Sequence, residues 1–231
     1  MSAFPAPLLD ATLVRRYKRF LADVDFPDGR RETIHCPNPG AMTACCEPGR
    51  PVLVSDHGGG RGRKLRYTWE LIRMGRTWVV VNTQIANRVV RGWLESGRLL
   101  PGHGSVRPEV SYGGSRFDFA LGDGACLVEV KTVSLARGGV AAFPDAQTER
   151  GRKHLRTLAR AHREGRRAVL IFFVARGDAR AVRPADEIDP EYGRELRRAA
   201  REGVELLAVR ARISRRGITM GPELPVLLDP P

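Results

Sequence analysis

The pattern of hydrophobic and polar residues changes about a third of the way along the chain. Before residue 82 it consists of short apolar-rich runs separated by turn signals: LVRRYKRFLADVDF, RRETIHC, PVLVSD, RYTWELIRM and TWVVVNT. Five short strands at this spacing are typical of a small barrel or sandwich. We therefore predict an OB-like β-barrel over residues 1–81, a fold whose faces and loops often bind oligonucleotides.

From residue 82 onward the pattern becomes helical and then alternates between helices and strands. QIANRVVRGWLESGR carries Ile85, Val89 and Trp93 on one stripe. AVLIFFVA, residues 168–175, is a continuous apolar run of the kind that is buried on both faces in a parallel or mixed sheet. The pattern predicts an α/β domain over residues 82–231 with a mixed sheet flanked by helices, and hence a two-domain α+β chain.

The segment RFDFALGDGACLVEVK, residues 116–131, has the alternation of a β-hairpin. Asp123-Gly124 favours a two-residue turn with positive φ at both central positions. This turn sets a register with one apolar face and one polar face, and like charges meet twice on the polar face. The facing polar pairs are Asp118 with Glu129 and Arg116 with Lys131.

Two opposed carboxylates on this polar face predict a bound cation. Facing Cβ atoms lie about 4.5–5.5 Å apart, so like charges there destabilise the strand pair. Lys131 lies roughly 6–7 Å along the strand from Glu129 and could reach a water or phosphate beside an ion held by Asp118 and Glu129. Hard oxygen ligands favour Mg²⁺, with Mn²⁺ as a substitute. The alternative is a structural lattice of opposite charges on a solvated sheet face.

A further strand is expected at residues 139–143, and a helix from Pro144-Asp145 to about Glu164. Arginines recur along this helix at spacings of four, four and three, which stacks them into one basic stripe. Such a stripe could follow phosphates, although a solvated helix face is the simpler interpretation. The stripe consists of Arg152, Arg156, Arg160 and Arg163.

The net charge of +13 predicts a polyanionic partner. Nucleic acid fits best, because its phosphates attract a basic surface whatever the base sequence. A Gly-rich basic segment at residues 57–66, HGGGRGRKLR, could contact such a backbone or be an ordinary solvated loop. Arginine supplies most of the positive charge, since lysine occurs only at positions 18, 64, 131 and 153. The lysine at 131 is therefore notable.

The composition predicts a globular protein with a substantial core, because 42% of the 231 residues are hydrophobic. No apolar run of about 18 residues is present, and the first ten residues, MSAFPAPLLD, lack a charged leader. We expect a cytoplasmic protein without a membrane partner. The four cysteines show no CxxC spacing and are too few for a disulfide framework, which predicts free thiols.

The hairpin's acid, followed on the next strand by acid-x-lysine, resembles the core of the PD-(D/E)xK nuclease superfamily. Five separated segments in the same order extend this resemblance to the sugar fermentation stimulation protein A family. Together they span nearly the whole chain. They are HCPNPGAM (35–42), VNTQIANR (81–88), SRFDF (115–119), VEVKTVSL (128–135) and FPDAQTERGRKHL (143–155).

The resemblance implies an OB-like barrel joined to a PD-(D/E)xK nuclease-like domain, and DNA binding without strong sequence preference. It also implies a link to the regulation of sugar utilisation, notably of maltose. The metal acids of the superfamily correspond to Asp118 and Glu129, and its catalytic lysine corresponds to Lys131. Glu95 and Glu109 are candidates for an additional acid. Superfamily nucleases often dimerise to cut both strands, so a homodimer is one expected assembly.

The resemblance also implies a set of nucleic-acid contacts around the basic helix. One loop departs from the family, which usually reads CPNTG where this chain has CPNPG. Pro39 lacks the hydroxyl and the backbone donor of threonine, which weakens any binding role of that loop. The expected contacts are Asn38, Arg116, Arg150, Arg152, Lys153, His154, Arg156 and Arg160.

Two functions therefore follow from the sequence. In the first, the chain is a metal-dependent DNA endonuclease in which Asp118 and Glu129 hold Mg²⁺ and Lys131 orients the attacking water. In the second, it is a DNA-binding regulator of sugar metabolism genes that keeps the nuclease scaffold without cutting.

Overall fold

The computed structural model of the protein describes residues 2–4, 7–58 and 64–229. Residues 59–63, the centre of the Gly-rich basic segment, lie outside the described part. The N-terminal sheet contains β1 (Leu8–Tyr17), β2 (Leu21–Asp25), β3 (Arg31–His35), β4 (Pro51–Asp56), β5 (Tyr67–Met74) and β6 (Thr77–Val80).

The N-terminal sheet closes into a ring, which confirms the predicted OB-like fold. Its strand order is β3-β2-β1-β4-β5-β6, and β3 also pairs with β5 through His35 and Thr68. The run at residues 13–26 was expected to be one strand, but it breaks into β1 and β2. The chain reverses at Lys18 and Arg19, both of which have positive φ, so the turn carries none of the usual Gly or Pro signals.

The second large sheet is mixed, as predicted. Its strand order is β15-β14-β12-β9-β8-β7, in which β9, β12 and β14 are parallel and the outer pairs are antiparallel. The strands are β7 (Val106–Tyr112), β8 (Ser115–Leu121), β9 (Cys126–Val133), β12 (Arg167–Val174), β14 (Glu205–Ser214) and β15 (Gly217–Leu224). The flanking helices are α1 (Gln84–Glu95), α2 (Glu149–Arg163) and α3 (Pro190–Arg201).

Helices cover both faces of this sheet. On β12, Ile171 and Phe173 pack against α1, whereas Leu170 and Phe172 pack against α2 and α3. The continuous apolar run is therefore buried on both sides, as its composition predicts. The barrel contributes to the core on the α1 side of this sheet, since its buried Leu71 and other residues of β4 to β6 contact the α1 layer.

Two predicted elements differ in detail from the structure. The strand expected at residues 139–143 forms as β11 (Val140–Phe143), but it lies in a separate small sheet between β10 (Ala136–Arg137) and β13 (Ala181–Pro184). Helix α2 begins at Glu149 rather than near residue 144, because Thr148 caps it by accepting a bond from the Gly151 amide at 3.0 Å.

Two further sequence predictions concern membranes and thiols. None of the helices in the described residues is both long and apolar enough to cross a membrane. The four cysteines are free thiols, as expected, and three of them are buried.

Candidate active site

The hairpin between β8 and β9 has the predicted register near its turn. Asp123 and Gly124 have φ values of 55° and 90°, and Phe119 faces Val128. The ladder between these strands ends at this pair, so the expected facing pairs of Asp118 with Glu129 and Arg116 with Lys131 do not form. The predicted polar face is also not uniformly solvated, since Glu129 is buried whereas Arg116 is exposed.

Beyond Phe119, the Asp118 side chain rather than its backbone bonds to β9. Its Oδ2 accepts a hydrogen bond from the backbone N–H of Val130 at 2.7 Å, which fixes the carboxylate beside β9. The other oxygen, Oδ1, accepts from the Asn87 side-chain amide on α1 at 2.6 Å. Asp118 and Glu129 therefore come close together through a side-chain bond rather than as cross-strand neighbours.

Glu129 is buried under α2, with only 3% of its surface exposed. Its Oε1 contacts His154 Nδ1 at 2.5 Å and accepts from Lys131 Nζ at 2.7 Å. Arg150 Nε donates to the other ring nitrogen of His154 at 3.4 Å, which favours a proton on Nδ1 facing the carboxylate. Within the described residues, Glu129 Oε2 is buried without a hydrogen-bond partner.

The two carboxylates have opposite pKa shifts. Burial, followed by the charge of Glu129, raises the pKa of Asp118 to about 6, and the bonds from Val130 and Asn87 only partly oppose this. Burial would raise the pKa of Glu129 as well, but the His154 hydrogen bond and the Lys131 charge outweigh it and hold that pKa below its usual value. The more easily protonated acid is therefore Asp118.

A groove leads to Lys131 between the two domains. Its volume is about 320 Å³, and its walls are the loop at residues 38–40 and the segment at residues 143–148. The Asp145 carboxylate accepts from the Met42 amide at 3.3 Å, and a Cβ at Gly40 would collide with the same carboxylate. Glycine at position 40 thus allows the barrel loop to approach the second domain closely.

The donor set fits a divalent cation of the magnesium type. Asp118 and Glu129 supply two hard carboxylates, and Mg²⁺ usually takes one or two carboxylates together with water and substrate oxygens. The unpartnered Glu129 Oε2 is an orphaned buried acceptor of the kind that a cation would satisfy. No cluster of three or more His, Cys, Asp or Glu side chains suited to a metal occurs in residues 2–4, 7–58 and 64–229.

The predicted basic stripe on α2 is largely neutralised by acids. Three of its arginines pair with acids at or within α3, and the remaining one pairs with the residue that ends α2. Because α3 supplies these partners, sequence reasoning about α2 alone missed them. The ion pairs are Arg152 with Asp189 at 2.9 Å, Arg156 with Glu195 at 3.4 Å, Arg160 with Glu164 at 3.8 Å and Arg163 with Glu202 at 3.8 Å.

Two of the expected nucleic-acid contacts do not fit the structure. His154 is buried against Glu129, so it cannot reach a phosphate. The Asn38 side chain is 3% exposed, and both of its polar atoms are used, because it donates to the Val81 carbonyl and accepts from the Gly40 amide. It shapes the loop beside the groove instead.

Other expected contacts lie on the surface near the acidic pair. Arg116 is exposed and lies 3.7 Å from Glu109. Arg150 is exposed at the beginning of α2. Lys153 is exposed one turn further on and donates to the Gly114 carbonyl at 2.6 Å.

The additional acids named from the sequence do not join the centre. Glu95 pairs with Arg91 at 2.7 Å on the surface of α1, and Glu109 pairs with Arg116. The residue of α1 that does join it is Asn87, which lies in the VNTQIANR segment. Sequence reasoning singled out that segment but looked for an acid rather than an amide.

Comparison with known proteins identifies both halves of the chain. Residues 14–81 match the family model described as the SfsA N-terminal OB domain. Residues 84–217 match the model described as the sugar fermentation stimulation protein RE domain.

Curated relatives and a solved structure agree with these matches. A sugar fermentation stimulation protein homolog of Geobacter sulfurreducens is 52% identical over 227 residues, which cover 96% of this chain and 97% of that protein. A homolog of Syntrophotalea carbinolica is 53% identical over 229 residues, covering 97% and 99%. The structure of Pyrococcus furiosus SfsA in complex with Ca²⁺ superposes with a TM-score of 0.88 at 27% identity and covers 98% of both chains.

Proposed function

Because this chain belongs to the sugar fermentation stimulation protein family, we propose that it binds DNA and hydrolyses phosphodiester bonds with a divalent cation, Mg²⁺ or Mn²⁺. The observation that carries the proposal is the convergence of Asp118, Glu129 and Lys131 at the end of a groove between the two domains. A buried carboxylate oxygen without a partner adds to it.

Asp118 and Glu129 are the residues that would hold the cation. When bound, the cation would supply charge neutralisation at the phosphate and a more acidic water. The Pyrococcus furiosus relative was solved in complex with Ca²⁺, which supports a divalent site in this family.

The remaining polar residues of the centre have separate roles in this proposal. Lys131 lines the groove and holds its ammonium where a phosphate or the attacking water would lie. His154 is a positioning residue that keeps Glu129 oriented and ionised, because it donates to Oε1. Asn87 positions Asp118 in the same way from α1.

The cleavage proposal can be tested with supercoiled plasmid DNA and a single-stranded oligonucleotide. The protein is incubated with Mg²⁺, Mn²⁺ or chelator, alongside Asp118→Asn, Lys131→Ala and the surface control Glu95→Gln. We expect nicking that requires the metal, is lost in the first two variants and persists in the control. Equal cleavage by all four proteins would assign the activity to a contaminant.

DNA binding without cleavage is the second candidate, and the net charge of +13 favours it. In this form the protein would be a largely sequence-independent regulator of sugar utilisation genes, including those for maltose. Its affinity for DNA should fall steeply with salt, and Asp118→Asn should bind as well as the native protein or better. Failure of both proteins to bind duplex and single-stranded DNA at low salt would exclude both candidates.

A further inference from the structure

A second cavity, of about 660 Å³, lies between the barrel and the beginning of α1. It is separate from the acidic centre, because the Thr83 hydroxyl donates to the Pro37 carbonyl at 2.9 Å, and this contact stands between the cavity and the groove that leads to Lys131. Its volume falls in the range of about 300–1,000 Å³ that is typical of small-molecule sites.

The floor of the cavity is a buried polar network around Glu70. This side chain is fully buried, and its two oxygens accept from Ser55 Oγ at 2.7 Å and Asn82 Nδ2 at 2.9 Å. His57 Nε2 lies 2.9 Å from Thr68 Oγ1 and 3.1 Å from Ser55 Oγ. These hydroxyl, imidazole and amide groups are held in fixed positions, as in sites that recognise a polar ligand edge.

The rim of the cavity is cationic. Lys64 and Arg88 are exposed there, and the Arg88 guanidinium also donates to the Ala3 carbonyl at 3.1 Å. The first turn of α1 carries no acid, so its positive end adds to these cations, although the Asn82 side-chain oxygen already accepts from the Gln84 amide at 3.1 Å. A phosphate at the rim would pair with both Lys64 and Arg88.

One wall of the cavity is apolar, formed by Pro37, Leu65 and Ile85. The cavity therefore combines an apolar wall, a floor of fixed hydrogen-bonding groups and a cationic rim. A nucleoside monophosphate has the matching three parts: a flat base, polar base and ribose edges, and a phosphate. The Glu70 carboxylate does not oppose this ligand strongly, because it lies beneath the floor with both oxygens already bonded.

We propose that this cavity binds one nucleoside monophosphate unit, with the base on the apolar wall and the phosphate between Lys64 and Arg88. The unit is either a free nucleotide or the phosphorylated end of a strand. This site does not require cleavage at Asp118 and Glu129, so the two proposals can fail independently.

Calorimetric titration with adenosine 5′-monophosphate tests the site, with chelator present to keep metal from the acidic centre. Lys64→Ala and Arg88→Ala should each weaken binding by about tenfold, since each removes a charged partner of the phosphate. The matched control is Arg91→Ala, three positions further along α1 and paired with Glu95, which should leave the affinity unchanged.

Further titrations with adenosine and with inorganic phosphate establish which parts of the ligand are recognised. Both should bind more weakly than the nucleotide. The proposal is overturned if the nucleotide does not bind to folded protein, if inorganic phosphate binds as tightly, or if the two rim variants bind like the control.

Competition with short oligonucleotides distinguishes the two sources of the ligand. A 5′-phosphorylated strand that displaces the nucleotide, when its 5′-hydroxyl counterpart does not, identifies the site as one for a strand end. Displacement by free nucleotides alone identifies it as a site for a free ligand. Equal displacement by both strands would show that the competition arises from general DNA binding, and it would contradict the proposal.

Discussion

At the scale of single residues, the acidic centre is defined by what each carboxylate contacts. Glu129 has a histidine and a lysine as hydrogen-bond partners, whereas the partners of Asp118 among the described residues are an amide side chain and a backbone N–H. Asp118 is also close enough to Glu129 for that charge to raise its pKa. The ionised form of Asp118 is therefore the energetically costly member of the pair until a cation is bound.

This cost predicts that Asp118→Asn stabilises the metal-free protein. The pKa of Asp118 is raised to about 6 in the folded protein. The stability that the protonated carboxyl contributes is therefore fully present below the pKa of the unfolded chain, and it is lost as the pH rises through the pKa of the folded protein. Above about pH 7 the variant should be more stable by on the order of 2 kcal/mol, and the gain should vanish near pH 4. Urea unfolding at several pH values measures this, and equal stability at all of them would contradict it.

A second residue-scale prediction concerns His154. Because the pKa of Glu129 is lowered, its contribution to stability is present above the unfolded pKa and is lost as the pH falls through the folded value. His154→Ala removes the main hydrogen bond that opposes burial, so we expect a loss of about 1–3 kcal/mol at neutral pH and acid unfolding at a higher pH. His162→Ala, an exposed histidine on the same helix, is the control. Equal acid-unfolding midpoints in the two variants would be inconsistent with this role.

The sequence singled out the two acids and the lysine of the centre from strand alternation and turn chemistry, but the facing pairs that it predicted do not form. It did not predict the roles of Asn87 and His154. Both reach the centre from helices whose rotation against the sheet is set by tertiary packing, which no local pattern encodes. The same limit explains why His154 was expected to contact a phosphate.

At the scale of elements, helix α3 reduces the positive charge that the basic stripe of α2 presents to solvent. The four arginines have the predicted spacing along α2, but α3 lies beside them and supplies acids to three of the four. Such pairs lower the free positive charge that could attract a phosphate backbone. Arg150 and Lys153 are exposed near the acidic pair and have no acidic partner among the described residues, so under the proposed function they are better placed to contact DNA.

This comparison of surfaces predicts different effects on DNA binding. Arg150→Ala and Lys153→Ala should each reduce the slope of log affinity against log salt by about one. Arg156→Ala, whose side chain pairs with Glu195, should change the slope little. Fluorescence anisotropy with a labelled duplex at several salt concentrations measures all three. A larger loss in the Arg156 variant would restore the stripe as the DNA-binding face.

Most helices and strands could be predicted from the sequence, and the misses have local causes. The break between β1 and β2 at Lys18 and Arg19 carries no glycine or proline, and such turns escape pattern reasoning. The late beginning of α2 reflects the Thr148 cap, whereas the proline at 144 gave an earlier signal.

At the scale of the whole molecule, the two domains share a core. Leu71 and Val80 of the barrel strands pack with Val89 and Trp93 of α1 and with the large sheet. The Val80 amide also donates to the Ala175 carbonyl at 2.8 Å, which joins β6 to the end of β12. We expect barrel and sheet to unfold together, because separating them would expose this shared apolar surface.

Shared packing predicts one cooperative unfolding transition. Far-ultraviolet circular dichroism follows the helices after residue 82, and the fluorescence of a variant that keeps Trp69 as its only tryptophan follows the barrel core. The two signals should change at the same urea concentration, and Leu71→Ala should lower both midpoints together, at a cost of about 2–5 kcal/mol. Two separate transitions would show that the domains are independent.

The central claim is that Asp118 and Glu129 form a site for a divalent cation. Calorimetric titration of Mn²⁺ into chelator-free protein tests it without DNA or turnover. We predict about one ion per chain, abolished by Asp118→Asn and by Glu129→Gln and retained by Glu95→Gln, since two carboxylates suffice for such an ion. Equal Mn²⁺ binding by all four proteins, or none by the native protein, would contradict the account.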